Sequence, residues 1–126
     1  MQTRSVHSWL FVVTLLAGTG LACKEEGKPT GSTCPTTQTL TYENFGKGFF
    51  TTFCNDCHAA ASTDRHGAPK EDTFDDVASI REGADEIDTL AASGPKATNK
   101  IMPDDDPRPT DAQRAQLGEW LACGAP

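Results

Sequence analysis

Residues 54–58 read Cys-Asn-Asp-Cys-His, two thiols and an imidazole inside five residues. Each chemistry that uses such a cluster demands a different fold around it. A redox dithiol belongs at the start of a helix that follows a strand, where the helix dipole lowers a thiol pKa. A structural zinc ion needs four ligands. Covalent haem attachment adds the two thiols across two vinyl groups and leaves the neighbouring imidazole beneath the iron. The elements flanking the cluster separate these three uses.

Apolar periodicity predicts three helices and no strand. The first covers about 42–54, with Thr41 as N-cap, Leu40 and Phe45 as a hydrophobic staple, and Phe45, Phe49, Phe50 and Phe53 on one side. Gly46 and Gly48 weaken that helix, so both are expected at close backbone contacts. The second covers about 74–92, with Thr73 and Asp76 as a capping box; Phe74, Val77, Ala84, Ile87 and Leu90 form its stripe, and Gly94-Pro95 ends it. The third covers about 111–123, capped by Thr110 and Gln113, with Leu117, Trp120 and Leu121 facing inward. The expected class is all-α, with long loops at 59–72 and 95–109. The cysteine pair therefore follows a helix, with no βαβ unit, which disfavours a redox dithiol. Zinc would have to recruit His66 and Cys34, and no second paired-ligand motif is present. Haem attachment fits best.

The N-terminus bears on where this happens. Residues 1–22 carry a short polar start with Arg4 and His7, an apolar run over 9–17, then small residues, the pattern of an export signal too short to remain as a membrane span. "GLAC" at 20–23 resembles a bacterial lipobox, which implies acylation of Cys23 and a membrane-anchored protein of the periplasm or cell envelope. The alternative is ordinary signal cleavage after Ala22. Lipidation is favoured because the alternative leaves a free thiol in an oxidising compartment. Residues 23–39, lacking any aliphatic side chain, read as a flexible tether ahead of a domain at 40–126. The full chain has net charge −7, and loss of the signal removes one arginine and no acid, leaving −8. Such a surface argues against nucleic acid and suits a basic protein partner. Apolar content is modest for a chain of this length, and a large apolar cofactor would make up the core.

With Cys54, Cys57 and His58 in an exported chain, residues 40–124 resemble a class I mono-haem cytochrome c. The first helix of that family carries glycine and, four residues on, an aromatic that precedes the first haem cysteine by four; Gly46, Phe50 and Cys54 match. Its last helix carries an apolar residue and an aromatic three apart; Leu117 and Trp120 match. The resemblance implies about three helices wrapped round one haem c, thioether-linked to Cys54 and Cys57, with His58 as proximal iron ligand. It also implies a distal methionine from the loop before the last helix. Met102, in "NKIMPDDDP", is the single methionine outside the signal, and Pro103 stiffens its loop. His66 is the rival distal ligand. Phe50, Pro69, Leu117 and Trp120 are expected at the haem pocket, and the Gly67-Ala-Pro69 segment either accepts a hydrogen bond from the proximal imidazole or is an ordinary turn. Because the first and last helices cross in this family, Cys34 and Cys123 are expected to form a disulfide. Asp104, Asp105 and Asp106 form either a docking patch for a basic partner or a solvated turn; calcium finds no supporting ligand spacing there. The implied function is one-electron transfer with partner redox proteins. A haem enzyme with an open iron position, peroxidase-like, is the alternative, followed by a gas sensor or a haem domain docked to a larger oxidoreductase.

Overall fold

A computed structural model describes residues 26–126; the signal at 1–22 and Cys23 lie outside them. The described chain is all-α, with one isolated antiparallel bridge, Ser93 with Thr98. Thr41 opens the first helical stretch: its side chain accepts from the Asn44 N–H, and the Asn44 side chain accepts from the Thr41 N–H. A wide π-helical turn, Tyr42–Gly46, then passes into α1, Lys47–Phe53. The helix breaks at Cys54 and resumes as the single turn α2, Asn55–His58.

The second predicted helix is shorter and divided. Its N-cap is Asp76, whose side chain accepts from Ser79 N, so Thr73 does not cap it and Phe74 stands ahead of it. α3 spans Val77–Glu82, Gly83 interrupts, and α4 spans Ala84–Ala91. Glycine's low helix propensity accounts for the break that the apolar stripe concealed. α5, Asp111–Ala122, starts at the predicted capping box of Thr110 and Gln113.

The first and last helices meet at one point. A Cβ on Gly46 would stand 2.7 Å from Trp120 Cζ2, a distance no carbon pair tolerates, so glycine here lets the fully buried indole lie on the helix backbone. Gly48 does not share this role, since open space surrounds it. Phe45, Phe49 and Phe50 continue the contact, Phe45 edge-on to Trp120 at 5.9 Å and Phe50 tilted against it at 6.2 Å. Ile80, Ile87, Leu117 and Leu121 complete the core. Cys34 and Cys123 are joined, with Sγ atoms 1.90 Å and Cα atoms 4.6 Å apart.

The segment expected as a free tether is packed along residues 27–32. Thr30 is buried, and both its N–H and its hydroxyl donate to the Asp88 carboxylate. Asn99 brackets Lys28, accepting from its N–H and donating to its carbonyl. Lys96 N donates to Thr30 O at 2.8 Å. The segment is held by hydrogen bonds to distant side chains, so its lack of aliphatic residues did not keep it loose.

Candidate functional site

The elements described above enclose a cavity of about 420 Å³, within the range that holds small-molecule cofactors. Cys54, Cys57 and His58 line it from the break after α1 and from α2, and Met102 lines it from the loop before α5. Four of the predicted site residues, from two stretches distant in sequence, thus border one space. Phe50 and Pro69 also border it. Leu117 and Trp120 do not: both are fully buried in the core, and Trp120 packs against Gly46 in the π-helical turn that precedes α1.

His58 is oriented by its surroundings. Its Nδ1 lies 2.9 Å from the Asp72 carbonyl, and a carbonyl can only accept, so Nδ1 carries the proton and Nε2 keeps a lone pair for a metal. The ring stacks on Phe74, centroids 4.7 Å apart and planes inclined by 20°. Of the two uses expected for the Gly67–Pro69 segment, the structure has the ordinary turn: the acceptor from the imidazole is Asp72, while the Pro69 carbonyl accepts from Arg65. Arg65 donates to Ala59, Ala68, Pro69 and Asp72 carbonyls, and so gives the 59–72 loop a fixed path without secondary structure. His66 borders the same cavity, but its side chain is half exposed and its Nε2 lies 3.4 Å from Asp64.

Among the described residues the two free cysteines, Cys54 and Cys57, have their thiol pKa raised. Burial pushes Cys54 up to about 12, against the partial relief of the Arg114 charge. For Cys57, desolvation comes first, followed by the negative charges of Asp56, Asp104, Asp64 and Asp105. A redox dithiol or a nucleophilic cysteine needs the opposite shift. Zinc by the Cys34 route is also closed, because Cys34 is bonded to Cys123. Among the described residues no three His, Cys, Asp or Glu side chains converge as a bare metal site. The neutral thiols, the imidazole with a free Nε2, the thioether and an aromatic and aliphatic lining fit a covalently held metalloporphyrin.

Met102 is held through its backbone: its N–H donates to Leu90 O at 2.9 Å, and its carbonyl accepts from Arg114 Nη1 at 2.7 Å. Asp104, Asp105 and Asp106 follow it, exposed, with Arg108 donating to the Asp104 carbonyl. Asp72, Phe74, Arg65 and Arg114 were not foreseen at the site. The apolar periodicity puts Phe74 inside a helix, and nothing in the sequence marks Asp72 as a carbonyl acceptor. Arg114 did leave a signal, since it stands three and seven residues before Leu117 and Leu121 on the inward side of α5.

No family model, no curated protein and no solved structure matches the chain.

Proposed function

We propose that this protein is a single-electron carrier of the cell envelope, built as a class I mono-haem cytochrome c. The observation that carries the reading is the shared cavity: the Cys54–Cys57–His58 cluster and Met102, 44 positions beyond His58, line one space of about 420 Å³. Contact of the first and last helices through Gly46 and Trp120 supports the family arrangement.

A c-type haem bound there supplies reversible one-electron chemistry at iron. Cys54 and Cys57 would hold it by thioether bonds, and His58 and Met102 would be the side chains available to bind its iron. The Asp72 carbonyl raises the basicity of the imidazole and fixes its plane. Phe49, Phe53, Phe74, Ile87 and Leu90 keep water from the buried side. A thioether ligand and an apolar wall both favour the ferrous state. The acids near Cys57 suit a basic redox partner. Location in the periplasm, with Cys23 lipidated as a membrane anchor, belongs to the same reading; among the described residues no helix is long and apolar enough to cross a membrane.

The test is the protein purified from cells that attach c-type haem. Peptide mass spectrometry is expected to find haem on residues 54–58, and the ferric spectrum to show the weak far-red band of iron bound to methionine sulfur. Met102→Ala is expected to keep the haem, lose that band and bind carbon monoxide rapidly when reduced. A colourless protein of unmodified mass refutes the function. An unaltered protein that carries haem and binds carbon monoxide as readily as M102A favours the enzymatic alternative.

A further inference from the structure

Arg114 is 1% exposed, and burying a guanidinium is costly unless its donors are used. Among the described residues no carboxylate pairs with it and its Nε has no acceptor, so an ion pair is not the reason for its position. Instead Nη1 donates to three carbonyls: Ala91 at 2.7 Å, Asn99 at 3.0 Å and Met102 at 2.7 Å. The Ala91 and Leu90 carbonyls end α4, where no further helical N–H exists to meet them. Arg114 satisfies the first, and the Met102 N–H satisfies the second. Both backbone polar groups of Met102 are therefore engaged, one by α4 and one by a cation projecting from α5.

We propose that Arg114 is the positioning residue of the distal ligand: it pins the Met102 loop against α4, so that the thioether stays at the cavity in both oxidation states. This rests on the proposed haem reading and adds to it a residue outside the cavity lining.

The test compares haem-loaded Arg114→Gln and Arg114→Lys with the unaltered protein, and with Leu121→Ala as a core-weakened control. R114Q is expected to lose most of the far-red sulfur–iron band. Its reduced iron should bind carbon monoxide about ten- to a hundredfold more readily, the scale of a lost charge-assisted hydrogen bond, while the His58 signature persists. R114K should recover part of both signals. L121A should lower the unfolding midpoint and leave the iron closed. The inference is overturned if R114Q keeps the full band and excludes carbon monoxide, or if L121A opens the iron equally. If R114Q fails to take up haem, R114K decides on the same readouts: a partial loss supports the proposal and an unaltered band overturns it. Absence of the band from the unaltered, haem-loaded protein would overturn the Met102 assignment itself, and this inference with it. A band intact there and in R114Q overturns this inference alone.

Discussion

Replacing Cys54 and Cys57 by alanine, with the protein purified free of haem, leaves the chain to fold around its cavity with nothing in it. The cavity volume of about 420 Å³, at ~24 cal/mol per Å³, corresponds to about 10 kcal/mol. A domain of this size has a total stability of about 5–15 kcal/mol. The cavity opens past polar groups such as Asp104, so water reaches its rim and the true cost falls below that of a sealed void. Phe49, Phe50, Phe53, Phe74, Ile87 and Leu90 still lose their packing partners on one side. The remaining stability is then close to zero, and the wall is expected to collapse or the chain to unfold. Far-ultraviolet circular dichroism should retain part of the helix, the near-ultraviolet signal of Trp120 should vanish, and a hydrophobic dye should bind. Thermal unfolding should lose its cooperativity. A haem-free double variant with a native near-ultraviolet spectrum and a stability within about 2 kcal/mol of the loaded protein, well below the void cost, would refute the reasoning.

The Cys34–Cys123 bond closes a sequence separation of 89 residues, so Cys34→Ser with Cys123→Ser should cost about 4–5 kcal/mol by chain entropy. The urea midpoint is expected to fall while the haem spectrum stays unchanged. Thr30→Val removes the hydroxyl bonded to Asp88 in a buried place and should destabilise by about 1–3 kcal/mol; a free tether would show no change in the same denaturation curve. The exposed Asp76 carboxyl is held below its ordinary pKa, chiefly by the backbone N–H of Ser79. A depressed folded-state pKa means that this cap stabilises α3 above the usual carboxylate range and is lost as pH falls through the lowered value. Asp76→Ala should remove that part of the acid dependence, seen in amide exchange at Ser79 and Ile80.

What the sequence made legible was whatever depends on neighbours along the chain. The caps at Thr41 and Thr110 appear at their predicted positions because each is a four-residue device. Gly46 was legible as a close-contact glycine because a helix interior gives it no other reason to be there. Gly48, two residues on and equally helical, has no neighbour at all, and local sequence could not tell the two apart. The split at Gly83 was hidden by an apolar stripe that continues from α3 into α4. The strap at 27–32 was illegible because its partners, Asp88 and Asn99, are about 60 to 70 positions away. At the site, the residues that carry chemistry could be named, whereas those that orient them act through backbone carbonyls, and a carbonyl has no sequence signature. Asp72 toward His58 and Ala91 toward Arg114 are both of this kind.

Cys54 and Cys57 lie three positions apart in unlike fields. Beyond burial, Cys54 feels the positive charge of Arg114, whereas Cys57 feels four aspartates. A buried cation behind the cavity lining thus acts on Cys54, and exposed anions act on Cys57. On the proposed reading the two charges act on different steps. The interior guanidinium favours the electron-rich state of the site, and mobile ions hardly screen it because it is buried. The aspartates that act on Cys57 are exposed, so their attraction for a basic partner weakens as salt rises. Raising ionic strength should therefore slow association while leaving the reduction potential nearly constant. A potential that moved with salt as steeply as the association rate would place the controlling charge at the surface, and the interior guanidinium would then be a structural tie without an electrostatic role.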